Sequence, residues 1–341
     1  MKRDTVDLLV VGSGLCGLTI AITAAQRGMT VRCVGDGRPG ASLANFGQLH
    51  SGAVFAPVLP DTARECWTHR YRWHDLAAQA NVSTPHGYGL FTSADTAAVY
   101  QRAWQEVGID AAEVDPADLA MSGTYPPPAA AFRLPDFSVD LAHLHHLTTG
   151  LALTSGVLLD TTRPVTPRRD RGSTTVSVDG VEAAANMIVL ATGAETPALL
   201  DGAGITHTLS TRQIPWATVT GATTRHVTYW LDDDLLALSP TRDGFCAGQP
   251  GIQGNYGTPE AETQRLRTAL DHHRIGVSDD QLTLRWGAVC EPTAAHVATT
   301  TYVADLRRPP DGWSRANNLL IALPGKWVTA WHCADRVVDL L

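Results

Sequence analysis

No apolar run in this chain approaches the length of a membrane-spanning helix, which needs about 20 predominantly apolar residues. A basic balance is missing too. The 26 Lys and Arg stand against 34 Asp and Glu, a net charge of −8 that argues against a nucleic acid held by phosphate neutralisation. Paired cysteines are absent: Cys16, Cys33, Cys66, Cys246, Cys290 and Cys333 form no C-x-x-C. Scattered thiols of this kind fit a reducing, cytoplasmic setting. The opening MKRDTVDLL breaks its apolar run at a glycine turn, which predicts a domain's first strand rather than a signal peptide. No metal is expected either. His143, His145 and His146 have no carboxylate or cysteine beside them at ligand spacing, and they read as histidines on an ordinary helix.

What is present describes an ordinary globular protein: 44% hydrophobic and 18% charged residues in 341, a length that suits two domains. The chain is organised around Asp7 to Gly40. An apolar run, Leu8 to Val11, is followed at once by Gly12-Ser13-Gly14-Leu15-Cys16-Gly17, then by a helical pattern to about Arg27. A second apolar run covers Thr30 to Val34. Strand, glycine turn, helix and strand make the dinucleotide-binding βαβ unit. Gly12 permits the tight turn, Gly14 lets a pyrophosphate approach the backbone, and Gly17 lets the helix pack against the strand. Gly12, Gly14, Leu15, Cys16 and Gly17 are therefore expected to bind a cofactor. The same fingerprint asks for an acid at the end of the second strand, on the ribose. Gly35 follows Val34 there, so the expectation passes to Asp36, with Gly37 beside it, unless the ribose is held otherwise.

Further along, residues 61–81 predict an amphipathic helix, His86 to Phe91 a strand and Ala94 to Val107 a helix. Tyr125 to Pro128 read as a proline-broken loop. A helix begins near Asp140 and leads to a strand at Gly156 to Asp160. Ser173 to Val178 starts a hairpin that turns at Asp179-Gly180. Met187 to Leu190 is an apolar strand ending in Ala191-Thr192-Gly193. Alternating patterns between Ile205 and Trp313 predict a mostly antiparallel sheet, interrupted by one helix capped by Thr258 with Pro259 in its first turn. The chain closes on a strand, the glycine turn Pro324-Gly325-Lys326-Trp327-Val328-Thr329, and a helix to Leu341.

The glycine-rich opening, the small-residue loop Gly40 to Gly52 ending in His50-Ser51-Gly52, and the later Ala-Thr-Gly resemble the FAD-dependent D-amino-acid-oxidase superfamily. That group includes glycine and sarcosine oxidases, L-2-hydroxyglutarate dehydrogenase and glycerol-3-phosphate dehydrogenase. The resemblance is firmest over residues 7–60, 137–197 and 317–341. It implies an α/β fold: a Rossmann-like FAD-binding domain (1–84, 137–204 and 316–341) with an inserted α+β substrate domain on a mostly antiparallel sheet (85–136 and 205–315). It places Ser42, Gln48, Leu49 and His50 near the flavin, Val165 on the adenine, and Ala191, Thr192 and Gly193 at the close of the FAD site. Gly-Lys-Trp-x-Thr looks most like the FAD-contacting segment of glycerol-3-phosphate dehydrogenase, which assigns Gly325, Lys326, Trp327, Val328 and Thr329 to the flavin. Lys326 would stabilise negative charge on the reduced ring, the alternative being a solvated surface lysine.

Amino-acid oxidases of this group usually carry Gly-x-Arg-Pro at the end of a late strand, where the arginine clamps the substrate carboxylate. The counterpart here is Val289-Cys290-Glu291-Pro292, with a glutamate in the arginine's place. A glutamate repels a carboxylate and attracts a cationic amine or accepts from hydroxyls, or it is a plain structural residue. His50 stands where some relatives carry a histidine. Three roles are open to it: taking a proton during hydride transfer, attaching the flavin covalently, or hydrogen-bonding cofactor or backbone. The expected activity is FAD-dependent oxidation of a C–N bond in a small molecule, with oxygen or another acceptor taking the electrons. Oxidation of a hydroxy acid or polyol at C–O is the alternative. A monooxygenase or the flavoprotein subunit of a complex is the third reading. No second G-x-G-x-x-G follows, which disfavours an NAD(P)H domain.

Overall fold

The computed structural model describes residues 5–37, 40–117, 119, 128–161, 165–170, 172–178, 181–232, 235–249, 256–293 and 300–341. It divides into two compact units. The first comprises Met1–Ala44, His145–Arg212 and Ala288–Leu341, and the second Asn45–Leu144 and Gln213–Gly287.

The first unit is built on a six-stranded sheet in the order Tyr302–Asp305, Leu319–Leu323, Ala185–Leu190, Val6–Val11, Val31–Val34, Leu158–Asp160. All neighbours are parallel except the Tyr302–Asp305 edge strand, which is antiparallel. Branched and leucine-rich runs such as LLVV suit strands covered on both faces, and Leu8 to Val11 are buried throughout. The helix Leu15–Gln26 follows the first strand, and every residue from Leu15 to Ala24 is buried, which is why its apolar residues do not form a single stripe. The closing segment behaves as the spacing predicts: strand Leu319–Leu323, a 3₁₀ turn Trp327–Thr329, then the helix Ala330–Val338. A small sheet of Val165–Asp170, Ser173–Val178 and Val181–Ala183 completes the unit. The turn expected at Asp179-Gly180 lies outside the described residues.

In the second unit the sheet is mixed but mostly antiparallel. Gly244–Gly248, Ala237–Pro240, Thr228–Trp230, Gly87–Phe91, Ala130–Leu134 and Ala112–Val114 follow one another, and only Thr228–Trp230 against Gly87–Phe91 is parallel. Each face carries its own apolar cluster. Phe91, Trp104, Phe132 and Tyr229 pack with the helix Ala94–Val107 on one side, and Trp230, Leu238 and Phe245 pack with the helix Pro259–His272 on the other. Thr258 caps the latter helix, accepting from Ala261 N at 3.4 Å. The proline-rich loop at 125–127 lies outside the described residues.

The single helix expected over 61–81 is in fact three pieces: helix Pro60–His69, a 3₁₀ turn Arg70–Trp73 and helix His74–Gln79. The tighter 3₁₀ winding puts Arg70 and Trp73 on one side, where Trp73 is fully buried and Arg70 donates to Pro135 O.

His86 and His226 form a half-buried pair, their rings 5.4 Å apart, with Tyr88 edge-on to both. Burial holds both imidazoles below the ordinary value of 6.5. Arg133 adds to this at His86, and His86 itself adds to it at His226. The folded state therefore binds these protons less readily than the unfolded chain. Stability from this pair is full above pH 6.5 and is lost as pH falls through the depressed folded values. Urea midpoints measured from pH 7.5 to 5 should fall for the parent, and fall less for His86→Gln/His226→Gln. Equal slopes would remove the pair as the cause.

Candidate active site

The glycine turn of the first unit leaves no room for side chains where a ligand backbone must come close. Gly12 has φ +113, and a Cβ there would lie 2.4 Å from Ala191 O. A Cβ on Gly17 would lie 1.7 Å from Gly12 O, so the first turn of the helix Leu15–Gln26 rests directly on the loop. Gly12 N donates to Val34 O at 2.8 Å and Ala191 N to Val11 O at 2.8 Å, tying the turn to the strands on either side. Gly14 is the helix N-cap, without a side-chain cap, and the first turn holds no acidic residue. The positive end of a helix dipole suits a pyrophosphate. Ser42 comes back to this point, its Oγ accepting from Leu15 N at 3.0 Å. The motif around Gly12, the Ala191-Thr192-Gly193 motif and Ser42 are thus brought together, and these residues fit a dinucleotide cofactor.

The last motif is anchored to the same helix. Thr329 Oγ1 donates to Lys326 O at 2.8 Å, with Pro324 O close by, and Thr19 Oγ1 lies 3.2 Å from Ala330 O. Cys16 Sγ and Cys333 Sγ lie 3.9 Å apart. The turn after Pro324 enters the left-handed region at Gly325, with φ +73, where a glycine is the favoured residue. Val328 and Thr329 are buried, whereas Gly325, Lys326 and Trp327 are half-buried. Val165 opens its strand opposite Val178.

Two findings concern the end of the strand Val31–Val34. Position 35 is occupied by glycine because the space is taken: a Cβ there would meet Ser13 Oγ at 2.3 Å. Asp36 and Gly37 follow beyond the strand, half-buried and exposed. His145, expected from the sequence to be an ordinary helix residue, donates from Nε2 to Ser13 O at 2.8 Å. A carbonyl only accepts, so this contact places a proton on Nε2. Among the described residues no group of three His, Cys, Asp or Glu side chains gathers as a metal site.

Glu291 also lies in the first unit. Its Oε1 accepts from Arg212 Nε at 3.0 Å; the Glu291 side chain is buried and that of Arg212 is 12% exposed. Its charge is therefore met inside the chain. The neighbouring Cys290 is no nucleophile, since burial and the Glu291 charge push its thiol up to about 12.

In the second unit, Gln48 and Leu49 pair with Ser138 and Phe137 in a two-stranded ladder, both buried. His50 is half-buried, edge-on to Phe55 at 5.7 Å. Beneath this loop lies a residue that sequence reasoning missed. Asp136, wholly buried, accepts from Ser51 N at 2.7 Å and from the Tyr229 hydroxyl at 2.8 Å; Gln48 Oε1 is 3.4 Å from the same hydroxyl. Burial pushes the Asp136 carboxyl above its ordinary value, against the pull of Arg70 and these hydrogen bonds. A lone acid in the run Leu134 to Phe137 gave only one hint, that an acid amid apolar residues is buried with partners.

Among the described residues no helix is long and apolar enough to cross a membrane. One subunit of the anaerobic glycerol-3-phosphate dehydrogenase of Escherichia coli K12 is 30% identical over 206 residues, 58% of this chain. The chain spans only 37% of that relative's length. Two solved structures share the fold: glycine oxidase from Geobacillus kaustophilus (TM-score 0.75, 18% identity, 98% of this chain and 94% of that one) and the dithionite-reduced L-alpha-glycerophosphate oxidase from Mycoplasma pneumoniae with FAD bound (0.74, 16%, 99% and 95%). The FAD dependent oxidoreductase family profile matches residues 7–335, over the glycine turn, the Ala-Thr-Gly strand and the closing turn alike, and the chain belongs to that family of FAD-dependent enzymes.

Proposed function

We propose that this enzyme oxidises a C–N bond of a small amine or amino-acid derivative, with oxygen or another acceptor taking the electrons. Bound FAD supplies an acceptor at N5 for the hydride leaving the substrate carbon. In this reading Gly12, Gly14, Leu15, Cys16, Gly17 and Ser42 hold the pyrophosphate and the Val165 backbone meets the adenine. Ala191 to Gly193 and Gly325 to Thr329 hold the rest of the cofactor, with Lys326 favouring negative charge on the ring. Gln48 and Leu49 contribute flavin contacts, and His50 takes the proton that the substrate nitrogen must lose before hydride leaves. Asp136 steadies the His50–Ser51 turn through the Ser51 amide.

The observation that carries the amine reading is Glu291. Where amino-acid oxidases present an arginine to a carboxylate, this chain has an acid whose Oε1 is engaged by Arg212, while Oε2 accepts no hydrogen bond among the described residues. An acceptor oxygen in that place favours a substrate N–H or O–H over a carboxylate, and of the two a cationic amine also meets the glutamate's charge. A second reading, oxidation of a polyol or hydroxy acid at C–O, draws on the match to a glycerol-3-phosphate dehydrogenase subunit.

Anaerobic mixing of the FAD-loaded enzyme with panels of amines and of polyol phosphates or hydroxy acids tests the choice. Bleaching of the flavin band by amines alone is the expected result. Bleaching by the second panel alone moves the activity to C–O, and bleaching by neither points to a chain that needs a partner for turnover. Acid precipitation of the same sample should leave the colour in the supernatant. Colour in the pellet would assign His50 to a covalent link.

A further inference from the structure

The end of the strand Val31–Val34 departs from the dinucleotide fingerprint. An acid at this point normally reaches the ribose hydroxyls of the adenosine half. Here position 35 is glycine, and the volume that any side chain would enter from it is occupied by Ser13. An ideal Cβ on Gly35 would lie 2.3 Å from Ser13 Oγ, 3.1 Å from Ser13 Cβ and 3.3 Å from Ser13 N. The Ser13 hydroxyl in this rotamer and a side chain at 35 compete for the same space.

Ser13 is also held where it stands. Gly12, before it, is fixed by its amide bond to Val34 O at 2.8 Å and by a φ of +113. The Ser13 carbonyl accepts from His145 Nε2 at 2.8 Å. Gly14, after it, caps the helix Leu15–Gln26, and a Cβ on Gly14 would lie 2.9 Å from Ser42 Oγ. A loop pinned at both flanks and at its carbonyl keeps the Ser13 Cβ against position 35, whichever rotamer the hydroxyl takes. Ser13 as a residue remains half-buried.

We propose that the Ser13 hydroxyl, standing over Gly35, is the group that hydrogen-bonds the adenosine ribose of the cofactor, in place of a carboxylate. This rests on the assignment of the glycine turn to FAD. The contact is neutral where the usual one is charged. Neutral hydrogen bonds contribute less than charged ones, so the ribose is gripped less tightly than by an acid. The serine both donates and accepts, whereas an ionised acid only accepts.

The test is equilibrium binding of the apoprotein, read by quenching of flavin fluorescence, with FAD and with FAD whose adenosine ribose lacks the 2′-hydroxyl. The parent should bind the deoxy cofactor about fivefold more weakly, the size expected for one neutral hydrogen bond. Ser13→Ala should lose about the same factor with FAD and should no longer distinguish the two cofactors. Gly35→Glu alone should bind poorly because the glutamate meets Ser13. Ser13→Gly/Gly35→Glu should recover FAD binding to the parent level or above it. A parent that does not distinguish the cofactors, or a Ser13→Ala variant that distinguishes them as well as the parent does, overturns the proposal. The comparison between two ligands on one folded protein is insensitive to a general loss of stability. A parent that binds neither cofactor overturns the FAD assignment itself, a different outcome from FAD binding that ignores Ser13.

Discussion

Gly17→Ala is expected to yield a chain that holds no FAD and unfolds at much lower urea. The added methyl would sit 1.7 Å from Gly12 O, and both partners are backbone, so no side-chain rotation relieves the contact. Overpacking in a tight interior typically costs about 1–3 kcal/mol, with values above about 4 kcal/mol reserved for sites that cannot yield. Gly17 belongs to the second group, because the helix Leu15–Gln26 is buried along Leu15 to Ala24 and has nowhere to retreat. The helix would have to lift from the strand, taking its N-terminal amides out of line with the turn. Gly28→Ala is the matched control. Its φ is +86, but a Cβ there meets nothing within 4 Å. That variant should lose only about 1 kcal/mol, through left-handed backbone strain, and keep its flavin. Flavin retention and urea midpoints of the two variants decide the matter. Gly17 is helical and carries no left-handed strain, so comparable losses in both would mean that the contact with Gly12 O does not govern the motif.

The second large effect is expected at the buried ion pair of Arg212 and Glu291. Glu291→Ala takes the acid away from the largely buried Arg212 guanidinium, a change that costs about 3–5 kcal/mol. Against a total stability of about 5–15 kcal/mol, that is a large share. Removing both charges is different. In Arg212→Met/Glu291→Leu no ion is left uncompensated, and the double variant should recover most of the loss in urea unfolding. The same variant separates two roles for the glutamate. If Glu291 only balances Arg212, the refolded double variant is reduced by substrate at the parent rate. If its Oε2 meets the substrate nitrogen, as proposed, the double variant is stable and its anaerobic reduction by amines slows at least tenfold, the effect of one lost hydrogen bond to a charged group. Stability without slowing would leave Glu291 as a structural residue and withdraw the main support for an amine substrate.

The two variants differ in how far their consequences were legible in the sequence. Gly17 was marked by spacing alone, since strand, G-x-G-x-x-G and helix lie within one short stretch and each glycine has a local reason. The same holds for the capped helix at Thr258 and for the strand–turn–helix at the chain's end. Glu291 was visible as a departure from Gly-x-Arg-Pro, but its partner was not. Arg212 lies on another strand, far off in sequence, and no local pattern joins them. The break in the helix expected over 61–81 has a similar origin. Its amphipathic spacing is helical throughout, and the 3₁₀ turn at Arg70–Trp73 arises from burying Trp73 and from the bond between Arg70 and Pro135 O.

By itself the sequence determined the α/β class, the glycine turn of a dinucleotide site, the capped helices and the alternating strands. All of these follow from backbone preferences and apolar periodicity within a dozen or so residues. Tertiary structure alone decided which polar groups meet: Ser13 over Gly35, His145 on the Ser13 carbonyl, Arg212 on Glu291, and Asp136 beneath the His50 turn. The physical reason is that a buried polar group must find a partner, and the identity of the partner depends on strand order and on how helices cross the sheet. Those choices are made by long-range packing, and no local run of residues records them.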